Sequence, residues 1–220
     1  MIELETQQQP AGGLAQDMTL VRRRRMTGLN RGTTVAALRS RRPGPLRGAG
    51  IVRGDIRRGF GTSRGVARGV PFAIRLRLVS ANSGRPLPGY AVYLWHADRD
   101  GAYALHDLTD QNYLRGVQVA DSAGWVRFTS VFPGLPEGGW PHVRFEVRLG
   151  PDLDRPLLAG ELTLPVDACT TAYAVPGYER SRANLATGSL TGPMAMCSVT
   201  GDVRRGLVAT RTITMSTTRP

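Results

Sequence analysis

The chain has 220 residues, 41% hydrophobic and 21% charged, which suits one domain with a sizeable arm and excludes both wholesale disorder and two full domains. No apolar run approaches the length of a helical membrane span. The formal charge of +12 is carried entirely by arginine, because no lysine occurs, and an arginine-only composition reflects coding bias as readily as selection for bidentate recognition.

The charge is unevenly spread. Residues 1–68 hold fourteen arginines against Glu3, Glu5, Asp17 and Asp55, a balance of +10, and residues 69–220 a balance of +2. Residues 1–50 lack sustained strand alternation and contain Gln7–Gln9, Arg22–Arg25 and the proline-broken stretch Arg39–Arg47. They read as a basic arm, mobile or wrapped on the surface, ahead of a domain spanning 51–220. The arm is like a degenerate export signal: Arg31 interrupts its apolar part and Arg39 closes it, leaving less than an apolar region of about 7–15 residues. The expectation is a cytoplasmic protein. Nucleic-acid binding is not expected of the arm, since no aromatic residue precedes Phe60 to stack on bases and no recognition helix is legible.

From Val70 onward the period becomes two. Phe72, Ile74, Leu76 and Leu78 alternate with Ala73, Arg75, Arg77 and Val79 up to the turn Asn82-Ser83-Gly84, which predicts a half-buried strand. Shorter runs at Tyr90–Trp95, Trp125–Val131, Val143–Leu149, Leu158–Leu164 and Leu207–Met215 are separated by glycine- and proline-rich turns. A short helix is predicted around Pro176–Leu185. The pattern is all-β and predicts an antiparallel β-sandwich or barrel. No phosphate loop or internal repeat is present. Cys169 and Cys197 leave pairing open, with reduced thiols preferred in a cytoplasmic protein.

The most distinctive segment is Pro86–Val147. Its blocks are PLPGYAVYLWHADRDGAY at Pro86–Tyr103, NYLRGVQVADSAGWVRFTSVFPG at Asn112–Gly134 and WPHVRFEV at Trp140–Val147. Together they resemble the intradiol ring-cleavage dioxygenases, the protocatechuate and catechol class. IVRGDIR at Ile51–Arg57 and LTLPVDACTTAYAVPGYERSRANLA at Leu162–Ala186 are similar to the exported actinobacterial branch.

The resemblance implies a β-sandwich that holds a ferric ion through two tyrosinates and two histidines and opens a catechol ring with oxygen. Tyr103 matches the first tyrosine and His142 the first histidine. The second tyrosine position is Pro136, the active-site arginine position is Gly139 and the second histidine position is Arg144. Proline offers no side-chain donor, and arginine stays protonated with no lone pair to give. A guanidinium about 4 Å from a trivalent ion meets it with roughly 12 kcal/mol of repulsion at the effective dielectric of a protein surface. No metal site and no cofactor are therefore expected.

Residues 142, 144 and 146 share one strand face, opposite Val143, Phe145 and Val147. Such a face ordinarily meets water; the resemblance turns it inward, over a pocket. The expected catalytic set is Tyr103 as acid, His142 as base and Arg144 as the oxyanion binder, with His106, Trp140, Glu146 and Arg115 as substrate-binding residues. These groups suit cyclisation, isomerisation or conjugate addition on a phenolic, enolic or polyketide-like small molecule. The alternatives are a non-catalytic relative that binds a small molecule or protein, and ferric ring cleavage at a rearranged site. No membrane partner is expected, and a homo-oligomer is compatible with the sequence.

Overall fold

The period-two pattern becomes a set of eight strands in a computed structural model that describes residues 13–27, 49–150, 156–187 and 196–216. The chain divides into two units, residues 1–37 and 38–220. In the first, Leu14–Thr27 form helix α1, within the stretch read from sequence as an arm. Leu, Ala, Gln, Met and Arg are good helix formers, Asp17 sits in the first turn where the helix dipole favours a negative charge, and the Thr19 hydroxyl donates to Ala15 O at 2.9 Å. Most of the other residues of the arm lie outside the described residues.

The second unit carries β1 (Pro71–Ser80), β2 (Ala91–Trp95), β3 (Arg115–Val119), β4 (Trp125–Val131), β5 (His142–Arg148), β6 (Leu158–Thr163), β7 (Ser198–Asp202) and β8 (Gly206–Met215), with α2 (Val166–Tyr173) and α3 (Glu179–Thr187) between β6 and β7. Two four-stranded sheets form, ordered β4-β1-β8-β7 and β3-β2-β5-β6. Both have edge strands, so the sandwich stands and the barrel alternative does not. All ladders are antiparallel except β1 with β8, where Phe72 pairs with Leu207 and Ser80 with Met215 in parallel. The long excursion through the other sheet and two helices supplies the crossover that a parallel pair needs.

The alternating apolar residues meet between the sheets. Phe72, Ile74, Leu76 and Leu78 of β1 face Val92 and Leu94 of β2 and Val143, Phe145 and Val147 of β5 in one buried cluster. Tyr173 and Tyr178 stack at 5.6 Å between centroids, and the Tyr178 hydroxyl donates to Phe132 O at 2.7 Å, closing the end of the sandwich. Cys169 and Cys197 are free thiols buried in this cluster. No helix among the described residues is long and apolar enough to cross a membrane.

Where it is formed by β2 and β5, the other face of the β3-β2-β5-β6 sheet is buried too, and on β5 that face is polar. Every residue of β5 is buried, so His142, Arg144, Glu146 and Arg148 are largely shielded from solvent along with the apolar residues between them. Tyr93 and Trp95 of β2 stack beside them at 5.0 Å. The loop from Asp98 to Leu114 lies against this face: the Arg115 guanidinium donates to Ala104 O, and the Tyr103 hydroxyl meets His142.

Gly134 holds this loop in place by having no side chain. Its N–H donates to Asp98 O at 2.8 Å, and a Cβ there would stand 2.4 Å from Arg99 O and 2.5 Å from Asp98 O. Both obstacles are backbone. Gly134→Ala is expected to destabilise the fold by about 1–3 kcal/mol, the range for an overpacked site, which lowers the thermal midpoint by roughly 2–4 °C per kcal/mol in a domain of this size. Chemical and thermal denaturation check it; an unchanged midpoint contradicts the close approach.

Candidate functional site

Tyr103 reaches the site because a tight turn aims it. Asp98 Oδ1 accepts from the N–H groups of Asp100 and Ala102, both at 3.0 Å, and Gly101 adopts φ +85° with no room for a Cβ, which would lie 2.6 Å from Leu135 O. Asp107 then accepts the Tyr103 N–H at 2.7 Å. Leu105 and Leu114, with φ of 71° and 55°, hold the left-handed conformation that costs a side-chain-bearing residue about 1–2 kcal/mol. One of these strained positions lies within the loop and the other at its end, and strain of this kind concentrates at functional sites.

His142 stands at the start of β5. Its Nδ1 lies 2.5 Å from Trp140 O, which only accepts, so Nδ1 carries the proton. Nε2 is left with its lone pair and accepts the Tyr103 hydroxyl at 2.9 Å. Burial lowers the His142 pKa; Glu161 opposes that and the Arg144 cation adds to it. Burial likewise raises the Tyr103 pKa to about 12, against the pull of Arg144. The resting pair is a neutral phenol donating to a neutral imidazole.

Arg144, two residues along the same strand face, lies with its Cζ 5.7 Å from the Tyr103 ring centroid. Its Nε donates to Glu161 Oε1 at 2.9 Å, and the same oxygen is 3.8 Å from His142 Nε2. Glu161 comes from β6, where it pairs in register with Arg144. Arg144 Nη1 and Trp140 Nε1 are buried donors without a hydrogen-bond partner among the described residues.

Tyr103, His142 and Arg144 are thus brought together, with Trp140 beside them. The other expected residues are placed differently. Glu146 pairs with Arg148 at 2.5 Å. Arg115 is fully buried and donates to the Tyr93 hydroxyl at 3.1 Å. His106 is half-buried, its N–H on Tyr103 O at 3.3 Å. Glu161 was missed: in the sequence it is one acid in a short edge strand, and only the β5–β6 register puts it against Arg144.

The donor set does not fit the ferric ion of the resembling enzymes. Tyr103 and His142 are hydrogen-bonded to each other, the phenol is held protonated, and Arg144 and Pro136 supply no ligand. His96 is spent: Nδ1 donates to Ala97 O and Nε2 accepts from Ser130 Oγ, each at 2.7 Å. Among the described residues no group of three or more His, Cys, Asp or Glu side chains converges on a metal position.

A family model described as Dioxygenase matches residues 55–142, ending two residues before Arg144. The catechol 1,2-dioxygenase of Pseudomonas sp. (strain EST1001) is 39% identical over 64 residues, 27% of this chain and 21% of that protein. The chlorocatechol 1,2-dioxygenase of Rhodococcus opacus is 28% identical over 116 residues, 42% of this chain and 45% of that one. The chain therefore spans less than half the length of these curated relatives. Among solved structures, an intradiol ring-cleavage dioxygenase from Tetranychus urticae superposes with a TM-score of 0.60 at 18% identity, covering 76% of this chain and 87% of that one. The dioxygenase domain of a carbohydrate-binding fusion from Streptomyces sp. SirexAA-E gives 0.50 at 22% identity, covering 75% and 88%. The chain is thus similar in sequence to the dioxygenases over residues 55–142 and shares the fold of the intradiol ring-cleavage enzymes.

Two outcomes follow from these contacts. Glu161→Gln removes the charge facing a mostly buried guanidinium and is expected to cost about 1.5–3 kcal/mol, the range for a hydrogen bond to a charged group; a denaturation midpoint equal to the native one contradicts the pairing. The His96 pKa is lowered to about 4, mainly by burial. A folded value below the unfolded one means that stability is complete above the ordinary imidazole range and is lost as pH falls toward 4. The thermal midpoint should decline between pH 6.5 and 4, and His96→Asn should remove that part of the decline.

Proposed function

We propose that this chain binds an enolic or phenolic small molecule and moves a proton on it without a metal ion. The observation that carries the reading is the Tyr103–His142 hydrogen bond of 2.9 Å beside the Arg144 guanidinium, whose Nη1 has no partner among the described residues. Arg144 holds the developing oxyanion, a role in which a charge-assisted bond outweighs a neutral one. His142 Nε2 takes the proton of the ligand, and Tyr103 gives its own to the carbon or oxygen that becomes basic. Return of the proton from His142 to Tyr103 restores the resting pair. Glu161 keeps the guanidinium oriented and balances its charge.

The class of ligand is supported by the relatives, whose names specify catechol and chlorocatechol, planar molecules with adjacent ring hydroxyls. Ring cleavage is not the reading favoured here, because the donor set offers neither a tyrosinate pair nor a second imidazole. A phenol held at about 12 suits donation to a strongly basic carbanion or enolate, and a depressed imidazole remains a free base at neutral pH.

The test uses chelator-treated full-length protein and an enolisable probe, 2-acetylcyclohexanone, in deuterated buffer. The wild-type protein should accelerate exchange of the hydrogen between the carbonyls, and Tyr103→Phe and His142→Asn should each lower that acceleration by about 100-fold or more, the scale of one acid–base group. Because burial holds His142 below the ordinary imidazole range, exchange should persist at pH 6. Stoichiometric iron, a red-brown colour and oxygen consumption with catechol would sink the proposal. Saturable binding of 4-nitrocatechol with no exchange catalysis would replace it with a binding protein.

A further inference from the structure

Away from the Tyr103–His142 pair, a cavity of ≈ 380 Å³ is lined by Arg57, Arg58, Arg68, Val66, Pro71 and Ser130, among others. We infer that it is a second binding site, for a small organic phosphate monoester, with the guanidinium groups on the phosphate and Val66 against the hydrocarbon part. This inference does not rest on the proton-transfer reading.

The charge on this cavity is arranged. Arg57 is gripped by Asp55 through a fork, Nη2 to Oδ2 at 2.7 Å and Nε to Oδ1 at 3.0 Å, which fixes it and offsets one charge. Arg58 and Arg68 make no side-chain hydrogen bond or ion pair to the described residues. Three arginines line the cavity and Asp55 offsets the charge of one of them, which leaves an excess of two positive charges, the complement of a phosphate dianion. Guanidinium is the cation best matched to such an anion, through paired N–H donors. Ser130 contributes its surface alone, since its hydroxyl is donated to His96.

The walls are rigid. The Arg57–Ala67 hairpin is pinned by Ala67 N to Arg57 O at 2.8 Å and Gly59 N to Gly65 O at 2.7 Å. Gly69 has φ +155°, and a Cβ there would stand 2.4 Å from the Tyr178 hydroxyl, which itself accepts Val70 N at 3.1 Å. Val66 is 48% exposed, one of four large apolar side chains open to solvent among the described residues. An exposed aliphatic group beside uncompensated arginines suits a ligand with an apolar body and a charged end, and the volume lies in the range of small-molecule sites.

The experiment is calorimetric titration of the full chain with phenyl phosphate, inorganic phosphate and benzoate at low ionic strength. Phenyl phosphate should bind saturably and at least 10-fold tighter than benzoate. Arg58→Gln with Arg68→Gln should weaken it 10-fold or more, whereas Arg204→Gln with Arg205→Gln, an equal charge loss at the exposed turn between β7 and β8, should leave it unchanged. Val66→Ser should weaken phenyl phosphate but not inorganic phosphate. Absence of saturable binding by the wild-type chain overturns the inference, as does an equal loss in the two double variants, which would mark diffuse attraction by a basic protein.

Discussion

Arg144 cannot give up its proton, and it stands at a strand position where only 7% of its surface reaches solvent. A permanent charge so placed needs an acceptor, and the register of β5 on β6 supplies one in Glu161. The remaining geometry is tied to that pair. The cation helps hold His142 neutral, a neutral His142 with its proton on Nδ1 exposes a lone pair at Nε2, and that lone pair fixes the Tyr103 hydroxyl. Where the resemblance implies a second histidine with a lone pair, this chain has a group that donates only protons.

The same logic runs along the whole polar face of the second sheet. Arg148 is met by Glu146, and Arg115 by Tyr93 and Ala104. Burying such groups costs several kcal/mol per ion, and well-packed apolar residues often serve stability as well or better. Their physical effect is on register. A one-residue slip of β5 would carry Val143 and Phe145 to this face and drive four polar side chains into the apolar core, so misregistered pairings are strongly disfavoured.

Six of the eight described strands were legible as apolar runs between glycine- and proline-rich turns: β1 alternates most clearly, β2 is apolar throughout, and β4, β5, β6 and β8 are shorter or weaker versions of the same signal. β3 was not, because its five residues include Gly116 and buried Arg115, and Gly116 serves a close approach to Ile56, where a Cβ would lie 2.7 Å from a methyl carbon. β7 was missed because Ser-Val-Thr-Gly-Asp is mostly exposed and is a strand through its ladder to β8, a long-range fact. α2 holds Val, Cys and Thr, poor local helix formers, and forms by burying Cys169, Ala172 and Tyr173. Of the site, Tyr103, His142 and Arg144 could be read from their places in recognisable blocks. Glu161 could not, because its meaning depends on which residue lies across a ladder. Glu146 shares the strand face of Arg144, and the structure pairs it with Arg148, a neighbour two residues along its own strand.

The parallel pairing of β1 with β8 has a consequence for synthesis. β1 lies between β4 and β8, so one of its edges stays open until residues 206–215 have emerged from the ribosome. A nascent chain ending before them offers an apolar, unpaired strand to its neighbours, the kind of edge that seeds intermolecular association. The first sheet then closes by joining segments more than a hundred residues apart, a topology that folds slowly because loop closure precedes the reward of contact. Assembly of this domain is thus committed late, and truncated translation products are the species most in need of chaperone protection.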